Sequence, residues 1–258
     1  MLSAYLLVSH GSHDPRPEIA TSHLACLVQS RLQDQRQQIY QHRFVGGIAS
    51  PPRCEIVGTA YLELQPQPLH SQIVEFAYSV HQNSQSQQLH LKILPLFLLA
   101  GVHVMEDIPE EVEIAQKMLG DDVVIELKPY IGLHPGLASL VAKQKNLIQA
   151  HKYILLAHGS RRLGFDHRTE ALAVNLGLTT AYWAVQPNLE SRVREFALAG
   201  YERIAIVPYF LFAGGITDAI AAAIEKLELQ FPRVSLKLAP PLGANTELAD
   251  LIWDFLNQ

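Results

Sequence analysis

Three side chains in the first half of the sequence could together bind a transition metal. They are His10, Glu63 and His103, and each lies where a short apolar run gives way to residues typical of turns. Imidazole binds iron, cobalt, nickel and zinc, and neutral histidine is available because its reference pKa is about 6.5. The same groups can accept protons. The trio therefore predicts a site for a borderline divalent metal, with acid–base chemistry available at its ligands.

Each of these residue types also has a plainer role in proteins. A histidine before Gly-Ser can close a turn with its ring bonded to the backbone, and this role is favoured for His158, which occupies the same motif in the second half. Glu63 follows an apolar strand, where an unpaired carboxylate is costly to bury, so a site role and a salt-bridge role are equally open. For His10 and His103 the functional role is favoured, because both follow strands at the edge where ligands are expected.

Two other residues are predicted to have structural roles. Asp107-Ile-Pro-Glu110 is typical of a capping box, which predicts that Asp107 begins a helix as its N-cap and that Glu110 reaches back to it. His134 precedes a proline and is predicted to lie in a turn. Neither Asp107 nor His134 is therefore predicted to belong to the site.

The elements that position the trio are duplicated along the chain. Four blocks recur in the same order: 5–12 with 153–160, 60–66 with 181–187, 95–101 with 208–214, and 123–132 with 234–243. We predict a first lobe over 1–147 that carries the site and a second lobe over 148–258 that is a degenerate repeat. When the halves are aligned, Ala184 stands opposite Glu63 and Ile216 opposite His103, so the second half keeps only His158.

Each half alternates between strand-like and helix-like segments. In the first half, short apolar runs at 5–9, 56–62, 90–97 and 123–128 predict buried parallel strands, and segments such as 18–32 and 68–81 predict helices between them. This alternation predicts an α/β fold with a parallel sheet of about four strands and flanking helices in each lobe, and a cleft between the lobes. Ligands of such sheets bind at the carboxyl ends of the strands. The extra polar residues around 32–53 and 82–88 are predicted to form solvated loops, of which the first could be a flap.

Composition excludes several classes of protein. The net charge is −5 and the pI about 6.2, which argues against a general nucleic-acid binder. The chain has 2 cysteines and no C-x-x-C pair, which excludes zinc ribbons, cysteine-bound clusters and disulfide scaffolds. The longest uncharged apolar run, 204–216, contains Pro208 and is too short to span a membrane. With no basic signal-peptide region at the N-terminus, we expect a cytoplasmic protein that does not contact membranes.

Three motifs resemble those of a known enzyme family. They are Leu-Val-Ser-His-Gly-Ser-His-Asp-Pro-Arg at 7–16, Tyr-Leu-Glu-Leu at 61–64, and Pro-Leu-Phe-Leu-Leu-Ala-Gly-Val-His-Val-x-x-Asp-Ile-Pro at 95–109. The chain resembles the class II tetrapyrrole chelatases, that is, the sirohydrochlorin cobaltochelatases and ferrochelatases, in their long, internally duplicated form. The resemblance extends over both halves, and the third motif is long enough to be specific.

The resemblance implies two flavodoxin-like lobes and an enzyme that inserts Fe²⁺ or Co²⁺ into sirohydrochlorin with release of two protons, in siroheme or cobalamin biosynthesis. The divalent metal is then a substrate, and no organic cofactor is expected. By the motifs, His10 and His103 bind the metal and act in catalysis, and Glu63 assists them. Ser12, Arg161 and Arg162 are candidate contacts for the substrate carboxylates. A fused chain is expected to work as a monomer.

Two questions stay open at this point. A non-catalytic carrier of metal or tetrapyrrole with the same fold would use the same ligands as an enzyme. The choice between iron and cobalt is also open, although the lack of a His-rich tail and of a cysteine-bound cluster favours iron modestly. A histidine phosphatase is disfavoured, because Ser9 and Ala157 stand where that class has arginine before the histidine.

Overall fold

Two parallel sheets of four strands each form the framework of the chain. The computed structural model describes residues 2–43, 56–82, 88–160 and 167–257. The strand order is β2-β1-β3-β4 in the first sheet and β6-β5-β7-β8 in the second. The predicted α/β fold, with a four-stranded parallel sheet and flanking helices in each half, is confirmed.

The helices and strands of the described residues follow the same order twice along the chain. The first set is β1 (Leu2–Ser9), α1 (Pro15–Arg43), β2 (Ile56–Tyr61), α2 (Leu69–Gln82), β3 (Leu89–Pro95), α3 (Ile108–Leu119), β4 (Val123–Leu127) and α4 (Leu137–Asn146). The second set is β5 (Lys152–Ala157), α5 (His167–Asn175), β6 (Thr179–Tyr182), α6 (Leu189–Leu198), β7 (Arg203–Pro208), α7 (Gly215–Gln230), β8 (Ser235–Leu238) and α8 (Thr246–Asn257). A π-helical turn (His103–Asp107) leads directly into α3.

Strand β1 is one of the two inner strands of the first sheet. Leu6, Leu7 and Val8 are fully buried, as expected for a parallel strand covered on both faces. Ser9 pairs with Tyr61 of β2, and Val8 pairs with Pro95 of β3. This register ends the three strands at one level, so the segments that follow them emerge together at one edge of the sheet.

The last helix of the chain belongs to the first of two compact units. The first unit consists of Met1–His134 with Ala244–Gln258, and the second consists of Pro135–Gly243. Within the first unit, Asp250 of α8 lies 3.0 Å from Arg31 of α1, and the Lys92 ammonium of β3 donates to the Leu256 carbonyl. The compact units thus differ in membership from the sequence repeats, since α8 joins the first and α4 the second. The lobe boundary at 147/148 stays a prediction about the repeats.

His134 is part of this packing. It is buried, its ring meets that of Phe255 of α8 edge to face at 4.8 Å, and the Asp254 carboxylate lies 3.8 Å from its Nε2. Burial lowers the pKa of the His134 imidazole, and Asp254 opposes that shift in part. A residue predicted only to occupy a turn is therefore a contact between the body of the first unit and its last helix.

The predicted polar loops have a mixed outcome. Helix α1 continues to Arg43, so the loop prediction is wrong for residues 32–43. The loop was predicted because the stretch is polar. Its most frequent residues, glutamine and arginine, are nevertheless good helix formers. Residues 44–55 and 83–87, which hold the rest of the predicted loops, lie outside the described residues. Among the described helices, none combines the length and the apolar character needed to cross a membrane.

Candidate metal site

The three residues singled out from the sequence meet at the carboxyl edge of the first sheet. Each of His10, Glu63 and His103 offers a ligand atom, and these atoms all lie within 4.8 Å of one another. His10 Nε2 is 3.8 Å from one Glu63 oxygen, and His103 Nδ1 is 4.0 Å from the other. A metal with bonds of about 2.1 Å holds its ligand atoms about 3 to 4 Å apart, and the 4.8 Å limit on this cluster is close to that spacing.

The backbone fixes the distance between His10 and Glu63. The Glu63 N–H donates to the His10 carbonyl at 2.9 Å, which extends the β1–β2 pairing past the ends of both strands. Gly11 has φ +95°, and a Cβ at this position would lie 2.0 Å from the Glu63 carbonyl oxygen. Leu64, directly after Glu63, also has a positive φ of 60°. Only glycine permits the close approach of the two loops, and the approach sets the spacing of the ligands.

His103 reaches the site from a π-helical turn. The Ile108 N–H donates to the His103 carbonyl, five residues back, as a π turn requires. Its ring lies edge to face with that of His10, with centroids 4.8 Å apart. Such turns occur as single insertions within helices, often at functional sites.

Asp107 occupies the N-cap position of α3, as the sequence predicted, but the predicted side-chain capping bond is wrong. It makes no side-chain capping bond to α3. Its carboxylate Oδ2 instead lies 2.7 Å from His103 Nδ1. The i,i+4 spacing of His103 and Asp107, which puts two residues on one helical face, is the sequence signal that could have identified the pair.

The ligand groups are accessible to solvent. The side chains of His10, Glu63 and His103 are 50%, 47% and 35% exposed. The half-buried ring of Phe97 lies beside both imidazoles, with centroid distances of 6.3 Å to His10 and 6.4 Å to His103. Sequence reasoning missed Phe97, whose counterpart in the repeat is Phe210. A solvent-accessible cluster beside one aromatic ring can pass a metal to a large ligand, whereas a closed four-ligand site retains the metal.

Comparison with known proteins places the chain in a family. The CbiX family model matches residues 4–146 and again residues 152–258. The chain belongs to the CbiX family. This result confirms the resemblance to the sirohydrochlorin chelatases that the three motifs indicated, and the double match agrees with the tandem repeat.

Several relatives of this CbiX-family chain have known names or structures. A sirohydrochlorin ferrochelatase of Priestia megaterium is 24% identical over 175 residues, which are 63% of this chain and 65% of that protein, just under two thirds of its length. The structure of the sirohydrochlorin chelatase SirB of Bacillus subtilis subspecies spizizenii with cobalt has a TM-score of 0.67 at 22% identity, covering 100% of this chain and 93% of that one. SirB from Bacillus subtilis with Fe³⁺ has a TM-score of 0.70 at 22% identity, with 100% and 95% covered. These structures establish that the fold is shared.

The second CbiX-type repeat keeps the backbone arrangement of the cluster and its first histidine, as His158, but has Ala184 in place of Glu63 and Ile216 in place of His103. Ala184 N–H donates to the His158 carbonyl at 2.8 Å, as Glu63 N–H does to His10. The ring of His158 bonds through Nδ1 to the following Gly159 carbonyl, the turn-closing role that the sequence favoured. Ala184 has no metal-binding group, so among the described residues the second repeat retains the turn without the carboxylate.

Of the three predicted substrate contacts, the structure describes only Ser12. The Ser12 hydroxyl accepts a hydrogen bond from the Asp14 N–H at 3.0 Å, and the Asp14 carboxylate accepts one from the Arg16 N–H at 2.9 Å, where α1 begins. Hydrogen bonds from Arg16 lower the pKa of Asp14 to about 2. Ser12 therefore helps to start α1, and its remaining hydrogen-bonding capacity is available to a ligand. Arg161 and Arg162 lie outside the described residues.

Proposed function

We propose that this CbiX-family chain is a sirohydrochlorin chelatase that inserts a divalent metal, Fe²⁺ or Co²⁺, into sirohydrochlorin. The observation that carries the proposal is the accessible cluster of two imidazoles and one carboxylate, whose ligand atoms lie within 4.8 Å at the edge of the sheet. Family membership supports it, as does the name of the Priestia megaterium relative, a sirohydrochlorin ferrochelatase.

The ligand set fits a metal that must be held and then released. The imidazoles of His10 and His103 bind the incoming ion, and both metals accept imidazole nitrogen. Glu63, with its two oxygens 3.8 Å and 4.0 Å from the rings, offsets the positive charge of the ion. Three ligands on an accessible surface leave coordination positions open for the pyrrole nitrogens of the macrocycle.

The reaction also has to remove protons. Insertion of M²⁺ into the free-base macrocycle releases two pyrrole protons, so the net charge of site plus substrate is unchanged if the site accepts them. As the ion transfers to the macrocycle, the imidazole nitrogens and the Glu63 carboxylate lose their metal and regain lone pairs at the same place. They can therefore accept the protons that the metal displaces. Ser12, Arg161 and Arg162 are proposed to contact the substrate carboxylates, and the chain is proposed to act as a monomer with no organic cofactor.

Anaerobic absorbance spectroscopy tests this function directly. Sirohydrochlorin is mixed with catalytic amounts of enzyme and with Fe²⁺ or Co²⁺, and the rate is compared with that of enzyme-free controls. We expect many turnovers, and a loss of more than about 100-fold in kcat/KM for His10→Ala, for His103→Ala and for Glu63→Gln. The ratio of kcat/KM for the two metals then measures which of them the enzyme prefers.

His158→Ala is the matched control. It removes the same side chain from the same His-Gly-Ser motif with the same backbone hydrogen bond, in a repeat that has alanine where the first has Glu63. We expect it to keep wild-type activity. Metallation that stops at one equivalent per chain would favour a carrier instead, and normal rates for His10→Ala and His103→Ala would refute the assigned site.

A further inference from the structure

Among the described residues, the shortest distance between a histidine of the metal site and a carboxylate is that between His103 and Asp107. The Asp107 carboxylate lies 2.7 Å from His103 Nδ1, within hydrogen-bonding distance, whereas the nearer Glu63 oxygen is 4.0 Å from the same nitrogen and makes no hydrogen bond. The two side chains are partly buried, with 35% of His103 and 40% of Asp107 exposed. The geometry points to Asp107 as the residue that positions the His103 imidazole for the metal, an inference that rests on the proposed function.

The hydrogen bond selects which nitrogen of His103 is free for the metal. A neutral imidazole has one N–H donor and one nitrogen with a lone pair. Donation from Nδ1 to Asp107 leaves the lone pair on Nε2, the arrangement found in carboxylate–histidine–metal groups. A hydrogen bond to a charged acceptor is also stronger than one between neutral groups, so it restricts rotation of the ring.

The same bond keeps Glu63 available as a ligand. Because His103 Nδ1 faces both carboxylates, Glu63 is the group that would bond to it if Asp107 were absent. Glu63 would then be held in a hydrogen bond with the ring. By occupying Nδ1, Asp107 leaves both oxygens of Glu63 free to reach the ion.

The two imidazoles are held unequally as a result. His10 Nδ1 lies 3.3 Å from the neutral carbonyl of Gly11, a longer and weaker contact than the 2.7 Å one between His103 and Asp107. In the second repeat, the position of Asp107 counted from the aligned glycines is Ile220, a fully buried core residue. The metal-binding histidine and its carboxylate are thus missing together from the repeat that lacks the site.

Asp107→Asn and the matched control Glu110→Gln test the inference. Each removes one negative charge from the start of the same helix, and Glu110 is exposed on the first turn of α3. Titration with Co²⁺ alone, followed by its visible absorption bands, measures the Kd and the ligand geometry. For Asp107→Asn we expect the Kd to rise about 10- to 100-fold and the bands to change shape, with both wild-type in Glu110→Gln. Chelatase turnover is expected to fall only in Asp107→Asn.

A measurement on the unsubstituted protein makes the test independent of folding of the variant. Long-range ¹H–¹⁵N spectra at about pH 8.5, where free imidazole is neutral, report which nitrogen of His103 carries the proton. We expect Nδ1–H. A proton on Nε2, or a wild-type Kd and absorption spectrum for Asp107→Asn, would overturn the inference.

The two proposals fail in different ways. If His103→Ala binds Co²⁺ with the wild-type Kd, the metal site itself is wrong and Asp107 has nothing to position. If Asp107→Asn weakens Co²⁺ binding and the Nδ1 proton is present, but the wild-type chain gives no turnover, the role of Asp107 stands and the chelatase function is refuted.

Discussion

Replacing Gly11 with alanine is expected to separate the two loops that hold His10 and Glu63. Gly11 has φ +95°, in the region where an L-residue costs about 1 to 2 kcal/mol. The added Cβ would lie 2.0 Å from the Glu63 carbonyl oxygen, so one of the two loops must move by about 1 Å. Overpacking of this kind costs about 1 to 3 kcal/mol more. We expect a total destabilisation of about 2 to 5 kcal/mol.

The same displacement is expected to reduce activity. The Glu63 N–H to His10 carbonyl bond, 2.9 Å long, links the two loops and is the first contact to lengthen. A misplacement of about 1 Å in a reacting group can lower a rate about 100-fold. We therefore expect Gly11→Ala to lower kcat/KM for metal insertion about 100-fold and to raise the Kd for Co²⁺.

Two other glycines provide matched controls. A Cβ at Gly101, two residues before His103, would meet nothing within 4 Å, so Gly101→Ala is expected to leave stability and activity near wild type. Gly159, the counterpart of Gly11, has φ +85°, but its Cβ would meet side chains, with Val185 nearest at 2.8 Å. We expect Gly159→Ala to destabilise the second unit and to leave the chelatase activity intact.

Tryptophan fluorescence can follow the unfolding of each unit separately, because each unit contains one of the 2 tryptophans. In a Trp183→Phe background, the fluorescence of Trp253 in α8 follows urea unfolding of the first unit, and metal insertion is measured in the same samples. The reasoning is refuted if Gly11→Ala keeps wild-type kcat/KM, or if Gly101→Ala is as damaging as Gly11→Ala.

Two further predictions concern the last helix. Because burial holds the pKa of His134 below its ordinary value of 6.5, the unfolded chain binds the proton more readily. The stability of the first unit is therefore expected to be constant above about pH 6.5 and to fall as pH drops below it. Urea midpoints between pH 5 and 8 measure this slope, which His134→Gln should flatten; an unchanged slope contradicts the assignment. Phe255→Ala is expected to destabilise the first unit by about 3 to 5 kcal/mol, with a larger shift in the Trp253 transition than in that of Trp183, and the reverse order would be evidence against this packing.

Local patterns were sufficient to predict the strands of the first sheet. The run in β1 is apolar from Ala4 to Val8, and β3, although His90 and Lys92 interrupt its first half, continues into an apolar stretch that starts at Ile93. Both runs are followed by turn residues, which is typical of buried parallel strands. Because parallel strands align their carboxyl ends, His10, Glu63 and His103 could be expected at one edge from their places in the repeat. Their meeting within 4.8 Å agrees with that expectation.

Local patterns did not predict the hydrogen-bond partner of a side chain that can bond to more than one group. Asp107 has the sequence context of an N-cap, and the same carboxylate is equally able to bond to an imidazole four residues away. The π turn that brings His103 Nδ1 within 2.7 Å decides between them, and sequence periodicity does not register an insertion of this kind. The loop prediction for residues 32–43 was wrong for a different reason, since polarity alone does not distinguish a polar helix from a loop.

The order of elements, the duplication and the three candidate ligand residues were determined by the sequence itself, because each depends on short-range patterns and on strand ends that parallel pairing brings together. The tertiary structure alone decided which helix completes which sheet. Both α4 and α8 follow a last strand and present an apolar face, and such a face can pack on either sheet. Interactions between residues far apart in the chain, such as that of Lys92 with Leu256, place α8 in the first unit. The partner of Asp107 was likewise decided by the folded backbone, since a hydrogen bond depends on distances that only the complete fold sets.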